Sequence, residues 1–271
     1  MASFTSVLRK DRRIRLEALR DDWKARKNKE FFKPSGTQVY CGRQGSGKTI
    51  SAVAHVLRLK HVYYKSILVS NLDLYNFTPI PITTEEKLRA DLEIMIKADN
   101  ALHYYFFFEN MEQLSLALVL INNEFYGVIY LVDEIHTYFN SLESKNIPLF
   151  VFTEISQQRK QRKLIIGTSQ LFLRMAKPFR EQCDNLIMCS TKFGVFSKQV
   201  AYDGMSVSQD KDGGLIGTPR KTGYFFHSRA IRNSFDTYQK VVSGVEQYDT
   251  SINIDNNIGE IKPKGFFKKR K

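Results

Sequence analysis

The stretch GRQGSGKT, residues 42–49, decides the fold of this 271-residue chain. It matches the pattern G-x-x-x-x-G-K-[ST] at every fixed position; TQVYCG (37–42) before it predicts a β-strand, and a helix is predicted over 48–60. The glycines let successive backbone N–H groups turn inward around a phosphate, and the start of the helix adds positive potential. The sequence therefore predicts a strand–loop–helix unit that holds the phosphates of a nucleotide.

The residues of this loop predict how ATP and Mg²⁺ would be bound. Lys48 is expected to reach the β- and γ-phosphates and to take part in catalysis, and Thr49 is expected to bind Mg²⁺ through its hydroxyl. The whole loop is expected to contact the nucleotide: Gly42, Arg43, Gln44, Gly45, Ser46, Gly47, Lys48 and Thr49. ATP and Mg²⁺ are thus the predicted cofactors.

A second motif supplies the carboxylates that such a loop needs. GVIYLVDE (127–134) reads as a continuously apolar strand that ends in two acids. Asp133 is expected to face the metal ion through its water shell, and Glu134 is expected to orient and deprotonate the attacking water. Because only a hydrolase needs a group that activates water, the adjacent acids favour hydrolysis over nucleotide binding alone.

A third strand is expected to end at the same place. LIIGTSQ (164–170) ends at Gln170, and in a parallel sheet this end lies on the same rim as Gly42 and Asp133. An amide side chain donates to a phosphate and accepts from a water molecule. Gln170 is therefore a candidate sensor of the γ-phosphate.

The segment SQQRKQRK (156–163) just before this strand contains two candidate arginines. A guanidinium suits the charge of a phosphoryl transition state and often comes from a neighbouring subunit. Arg159 and Arg162 both fit that role at this point. The alternatives are a solvated basic helix end and contact with DNA phosphates.

The rest of the sequence predicts an α/β fold. Continuously apolar strands alternate with helical segments, a pattern typical of a mostly parallel sheet covered by helices on both faces. Further strands are predicted at 66–71 and 185–190, and further helices at 84–99, 112–123, 148–163 and 171–183. The aromatic run at 103–108 fits either a strand or the start of a buried helix, and we expect its side chains to be core rather than a platform for bases.

Four regions are expected along the chain. They are a basic helical arm at 1–36, the nucleotide-binding core at 37–200, a β-rich extension at 201–250 and a flexible basic tail at 251–271. In the extension region, QVAYDGMSV and TGYFFHS predict the two strands of an antiparallel hairpin.

Composition narrows the partners and the compartment. Lys and Arg number 41 against 28 acids, and the net charge of +13 favours a polyanionic partner, nucleic acid before an anionic membrane surface. Three scattered cysteines without a C-x-x-C motif fit a reducing, cytoplasmic setting. No signal peptide is expected, and the run LALVLI is far shorter than the roughly 20 residues of a spanning helix. His103, His136 and His227 lack ligand-spaced partners and are expected to be packing or surface residues.

Together these motifs resemble the FtsK/HerA superfamily of P-loop motor ATPases, and within it the Zot-like ATPases of phages. The resemblance covers about 37–200 and rests on GRQGSGKT, ILVSNLDL with Asn71, YLVDEIHTYF and RKQRKLIIGTSQ. It implies an α/β P-loop fold of the RecA or FtsK/HerA kind, with Gln170 as the sensor. It also implies that Arg159, eleven positions earlier, is the finger supplied to a neighbouring subunit, in preference to Arg162.

The resemblance further implies a function. Superfamily members form rings, most often hexamers, that move DNA through a central pore, and viral members package or export genomes. The implied function is an Mg²⁺-dependent ATPase that translocates DNA in viral genome packaging or virion assembly. Its partners would be DNA, copies of itself and capsid or assembly proteins, in the host cytoplasm or on the virion. Arg180 is a weaker candidate for a second phosphate contact.

One departure and two alternatives accompany this expectation. Zot-like assembly proteins usually continue into a transmembrane helix, which this sequence does not show, and the difference favours a soluble motor. The first alternative is an assembly or scaffolding factor that uses ATP as a switch while docking on a capsid or membrane. The second, a small-molecule kinase, is weaker because a kinase needs neither Glu134 beside Asp133 nor the Arg–Gln pair.

Overall fold

The computed structural model describes residues 27–97, 99, 101–209 and 215–236. The basic tail expected at 251–271 lies outside the described residues, and so does the expected arm as far as residue 26. The following description concerns the described ranges.

The strands of the chain form one large sheet and one small ladder. In order they are β1 (Gly36–Cys41), β2 (Ile67–Ser70), β3 (Thr78–Pro81), β4 (Tyr104–Phe107), β5 (Val128–Val132), β6 (Lys163–Ser169), β7 (Cys183–Lys192), β8 (Phe196–Asp203), β9 (Ser208–Gln209), β10 (Leu215–Ile216) and β11 (Pro219–Phe226). Nine of these described strands join in the order β11-β8-β7-β1-β6-β5-β2-β4-β3, and β9 pairs with β10. From β7 to β3 all neighbours are parallel, whereas β8 and β11 add to β7 as antiparallel strands. The predicted hairpin is therefore confirmed.

Six α-helices connect and flank these strands in the described ranges. They are α1 (Lys48–Val62), α2 (Glu85–Lys97), α3 (Met111–Leu120), α4 (Leu149–Gln157), α5 (Lys177–Arg180) and α6 (Arg229–Arg232). Short 3₁₀ turns occur at Ile135–Thr137 and Phe172–Arg174. The side chain of Asn110 caps α3 by accepting a hydrogen bond from the backbone N–H of Gln113.

Two apolar clusters lie on the two faces of the sheet. Successive residues of the central strands enter different clusters: Val39 and Tyr130 belong to one, Tyr40 and Leu131 to the other. Helices α2, α3 and α4 cover the first cluster, and α1 covers the second through residues such as Val53. Because both faces are covered, every residue of β2 and β5 is buried, which explains their unbroken apolar sequence. The predicted α/β fold is confirmed.

The helix predicted at 171–183 is wrong. The chain instead forms the 3₁₀ turn, passes through an extended Met175 and then makes the single turn of α5. Phe172 and Phe179 are both buried, so tertiary packing holds each half of the segment separately. Pro178 lies in the first turn of α5, the position where its missing N–H costs nothing. A continuous helix would have placed this proline in the interior.

Two further segments differ from the sequence-based prediction or decide between its alternatives. Strand β3 was not predicted because Pro79 and Pro81 argue against a strand, and the structure places it at the edge of the sheet, where proline is tolerated. The run at 103–108 forms β4, with Tyr105 and Phe106 in the core. The helix predicted at 148–163 ends at Gln157.

Candidate active site

Three loops meet at one rim of the sheet because of the strand order. β6 lies between β1 and β5, and all three strands are parallel. Their carboxyl ends therefore place the loop after Cys41, the acids after Val132 and the exposed Gln170 on the same side. The structure thus brings together the three predicted motifs.

The shape of the loop at 42–49 depends on its glycines. Gly47 has φ +80, and a Cβ there would lie 2.4 Å from Thr191 Oγ1. A Cβ on Gly42 would lie 2.5 Å from Ser46 Oγ and 2.8 Å from the carbonyl oxygen of Cys189. At Gly45, by contrast, nothing lies within 4 Å, so one side of the loop is open. The buried Ser46 hydroxyl has no hydrogen-bond partner among the described residues. A donor left without an acceptor beside an open loop fits an anionic ligand such as a triphosphate.

Asp133 is the centre of a hydrogen-bonded cluster. Its Oδ1 accepts from Thr49 Oγ1 at 2.9 Å and from Thr168 Oγ1 at 2.6 Å. Its backbone exchanges two hydrogen bonds with the side chain of Asn71, at 2.7 Å and 3.0 Å. Burial raises the pKa of Asp133, and the hydroxyls of Thr168 and Thr49 act in the opposite direction. Hydroxyl and carboxylate oxygens are ligands suited to Mg²⁺, so Thr49 and Asp133 fit the predicted metal site.

Thr168 was not identified from the sequence as a site residue. It lies two positions before Gln170 in the same strand, and its hydroxyl also accepts the backbone N–H of Glu134 at 2.9 Å. Alternation along β6 is the signal that could have found it, because residues two apart point to the same face of a strand.

Glu134 adopts a backbone conformation that is rare for residues other than glycine. It has φ 47 and ψ 49, in the left-handed region. This turn leaves Glu134 Oε1 3.8 Å from Lys48 Nζ and Oε2 3.2 Å from His136 Nδ1. Strained backbone persists where surrounding contacts hold it, and here the Thr168 bond does so. The structure therefore directs the second acid towards the phosphate loop.

His136 belongs to the site, so the expectation that it is a packing or surface residue is corrected. Burial lowers the pKa of His136, and the nearby cations Arg174 and Lys48 act in the same direction. The ring is therefore neutral at neutral pH, and a bond to the Glu134 carboxylate requires the proton on Nδ1. Ser169 Oγ lies 3.4 Å from the same nitrogen. This contact went unpredicted because histidine spacing reports metal ligands better than carboxylate partners.

A second unpredicted cluster joins the hairpin to the loop. Thr191 Oγ1 donates to the carbonyl oxygen of Ser46 at 2.8 Å, and Ser197 Oγ lies 2.8 Å from Thr191 Oγ1. His227 Nε2 lies 2.6 Å from Ser197 Oγ. His227 was also expected to be a packing or surface residue, and the structure instead places it in this chain of hydrogen bonds. The ends of β7, β8 and β11 thereby support the loop from outside the core strands.

The candidate arginines lie away from the loop of their own chain. Arg159 and Arg162 precede β6, whose seven residues separate them from the site, a length of about 20 Å. Arg159 pairs with Asp184 at the start of β7, and the guanidinium of Arg162 lies 4.4 Å from the ring centroid of Phe31. Arg180 precedes β7 and lies 6.0 Å from the ring centroid of Phe172. Within one chain, the structure does not bring these arginines to the phosphate loop.

The sheet order, the phosphate loop and the facing acids define a P-loop nucleotide-binding fold of the α/β class. No family model matches the chain, and no curated protein sequence matches it either. Among the described residues, none of the helices combines the length and apolar character needed to cross a membrane.

Several solved structures are similar to this chain. One is the genome-packaging NTPase B204 of Sulfolobus turreted icosahedral virus 2 in complex with AMPPCP, at 13% identity and a TM-score of 0.48, with 69% of this chain and 98% of that chain covered. Another is the N-terminal domain of zonular occludens toxin from Neisseria meningitidis, at 11% identity and a TM-score of 0.47, with 75% of this chain and 100% of that chain covered. The flagellar accessory protein FlaH from Methanocaldococcus jannaschii matches at 12% identity and a TM-score of 0.36, with 70% and 84% covered. The fold assignment rests on the strand order and loop geometry of this chain.

Proposed function

We propose that this chain is an Mg²⁺-dependent ATPase that works as the motor of a DNA-packaging or virion-assembly ring. One observation carries the proposal. Thr49 from the loop and Asp133 from the end of β5 share a hydrogen bond, while Lys48 and Glu134 form an ion pair beside them. Two motifs 84 positions apart in the sequence therefore meet in the arrangement that hydrolysis of a nucleotide requires.

The residues of the rim divide the reaction among them. The loop amides and Lys48 would bind the triphosphate, and Thr49 with Asp133 would hold Mg²⁺. When bound, the magnesium ion neutralises charge on the phosphates. Glu134 would take the proton from the attacking water, and Gln170 would contact the γ-phosphate from the end of β6. Because Lys48 is paired with Glu134 in this structure, its movement towards a phosphate would release the carboxylate for that role.

The proposed assembly follows from the position of Arg159. This residue lies on the rim opposite the phosphate loop of its own chain, so it would serve as a finger only in the site of a neighbouring copy. A closed ring, with hexamers the most common form in the resembling superfamily, gives every site such a neighbour. Residues that complete a site from a second subunit are a common feature of nucleotide hydrolysis.

The proposed DNA partner rests on charge. The excess of 41 basic over 28 acidic residues suits binding to phosphates without regard to base sequence. Sequence-independent binding is what a translocating motor needs, since it must hold each successive segment of DNA. The motif resemblance to viral packaging and assembly ATPases points the same way.

The proposal is tested by phosphate release from the purified chain with Mg²⁺ and ATP, with and without duplex DNA. We expect DNA to stimulate hydrolysis, Lys48→Ala to abolish it, and Glu134→Gln to retain ATP binding while turnover falls at least ~100-fold. Glu86→Gln removes one exposed carboxylate outside the site and should behave as the unchanged protein. Turnover by Glu134→Gln at the rate of the unchanged protein would contradict the proposal.

One observation favours a second candidate, an assembly factor that ATP switches without DNA transport. The Glu134 carboxylate is held by both Lys48 and His136, so the water-activating group is occupied in this structure. A slow hydrolase of this kind would turn over at a rate that DNA does not change. Equal rates with and without DNA, together with tight binding to a capsid protein or to anionic vesicles, would favour this candidate.

A further inference from the structure

A cavity of about 500 Å³ opens between helix α1 and the β7–β8–β11 part of the sheet. Its described lining residues come from the strands before the phosphate loop and from the middle of α1, and none belongs to residues 42–49. The cavity is therefore separate from the nucleotide site described above. Its volume lies within the range of small-ligand sites, about 300–1,000 Å³.

The charged side chains around this cavity are all basic. Arg58 of α1 and Arg220 and Lys221 of β11 line it, and no acidic residue is among its described lining residues. Asp203 neutralises part of this charge because it pairs with Arg220. Arg58 donates through Nε to the carbonyl oxygen of Ala54, which leaves its terminal nitrogens pointing beyond the helix backbone. The balance of charge suits an anion.

The remaining polar lining consists of neutral hydrogen-bonding groups. Gln38, Asn185 and Gln199 contribute amides, and the buried Nε2 of Gln199 has no hydrogen-bond partner among the described residues. His55 Nδ1 lies 2.8 Å from the hydroxyl of Tyr40, and burial lowers the pKa of His55 to about 4. The imidazole is therefore neutral at neutral pH, and the positive charge comes from the arginines and the lysine alone. Amides beside cations match a ligand that combines a phosphate with a polar ring edge.

We propose that this cavity binds a nucleotide unit, with its phosphate on Arg58 and Lys221 and its polar edge against the amides of the sheet. The unit is either a free mononucleotide or one link of a nucleic acid strand, because both present the same chemistry. In the second case the inference rests on the proposed function, and the cavity is a place where the ring holds DNA.

The position of the cavity on α1 gives binding there a consequence for the phosphate loop. Arg58 lies ten residues after Lys48 in the same helix, a distance of about 15 Å along its axis. A ligand on Arg58 therefore contacts the rigid element whose first residue is the loop lysine. DNA bound here would act on the nucleotide site through one helix.

The test uses the full chain without ATP and measures fluorescence anisotropy of a labelled 20-mer of thymidylate. Arg58→Gln with Lys221→Gln should weaken binding at least ~10-fold, and the slope of log affinity against log salt should fall by roughly two. The matched control, Lys198→Gln with Lys87→Gln, removes two exposed lysines that do not line the cavity and should change affinity less than ~2-fold. Lys221→Gln alone, at an exposed strand position, should show an intermediate loss at an unchanged melting temperature.

A second arm separates the two sources of the ligand. Calorimetric titration of AMP is carried out on Lys48→Ala, which removes the loop lysine, with and without the two cavity substitutions. Loss of AMP binding with unchanged oligonucleotide affinity assigns the cavity to a free nucleotide, whereas loss of oligonucleotide affinity assigns it to a strand. The proposal is overturned if the cavity variant binds both probes as the unchanged protein does, or if the control pair weakens binding equally. Because the binding is measured without hydrolysis, a failure of the proposed ATPase would leave this result standing.

Discussion

At the scale of single residues, Thr168 shows how one side chain can connect both acids of the site. Its hydroxyl donates to Asp133 Oδ1 and accepts the N–H of Glu134. The motif strings could predict Asp133 and Glu134 because each follows directly from a short contiguous pattern. They could not predict Thr168, because its partners lie on a different strand and only the pairing of β5 with β6 brings them within reach.

Thr168→Val tests this connection. Valine keeps the shape and loses the hydroxyl, so Glu134 loses the bond that holds its left-handed backbone and Asp133 loses one donor. We expect kcat to fall about 10- to 100-fold, with ATP binding changed only a few-fold, as measured by phosphate release and by titration of a fluorescent ATP analogue. Thr78→Val, on the exposed edge strand, is the matched control and should retain full turnover. Normal kcat in Thr168→Val would show that the Glu134 backbone needs no such support.

His55 predicts how stability depends on pH. Burial lowers its pKa to about 4, so the folded chain resists protonation that the unfolded chain accepts below about 6.5. The contribution of His55 to the free energy of unfolding is therefore complete above about pH 6.5 and is lost as the pH falls towards 4. Urea unfolding at pH 7.5 and pH 5 measures this loss, and His55→Gln should reduce it. His103→Gln, at an exposed position, should not. An identical pH dependence in His55→Gln would exclude His55 as its source.

At the scale of elements, the hairpin of β8 and β11 supports the phosphate loop as well as extending the sheet. The sequence predicted both strands from their alternation. The chain of hydrogen bonds from Ser46 through Thr191 and Ser197 to His227 was not predictable, because it joins positions as far apart as 145 residues. The same limit explains β3, whose prolines hid a strand that only an edge position permits, and 171–183, where buried phenylalanines divided an expected helix.

Ser197→Ala tests the support that the hairpin gives. Removing the hydroxyl separates His227 from Thr191, so the Ser46 carbonyl is held less firmly and the loop is less ordered before ATP binds. We expect KM for ATP to rise several-fold while kcat changes less, since Ser197 touches the loop only through Thr191. Steady-state kinetics measures both. Ser208→Ala, at an exposed position in the ladder beyond β8, should leave KM unchanged; an equal rise there would attribute the effect to general loosening.

At the scale of the whole molecule, the opposite positions of Arg159 and the phosphate loop predict complementation between two inactive variants. Arg159→Ala should bind ATP but not turn it over, and Lys48→Ala should be inactive for lack of the loop lysine. In a mixture assembled from equal amounts, an Arg159→Ala site facing the arginine of a Lys48→Ala neighbour is complete. About a quarter of the interfaces should therefore recover activity if subunits mix at random.

The control for complementation replaces the other arginine of the segment. Arg162→Ala mixed with Lys48→Ala should show the activity of its own intact sites and no gain beyond it, because Arg162 is committed to Phe31 and to the carbonyl oxygen of Glu124. A mixture of Arg159→Ala with Lys48→Ala that stays inactive, while rings still form, would remove Arg159 from the catalytic set. Full turnover by Arg159→Ala alone would do the same.

The pairing of Arg159 with Asp184 has a consequence for timing. The other oxygen of that carboxylate accepts the backbone N–H of Thr37 at 2.9 Å, at the very start of the strand that leads into the loop. An arginine that leaves Asp184 to serve the next copy therefore alters the anchor of its own β1. Each subunit would register, at the root of its own loop, the moment its neighbour fires, and a relay of this kind passes the cycle around a circle one member at a time.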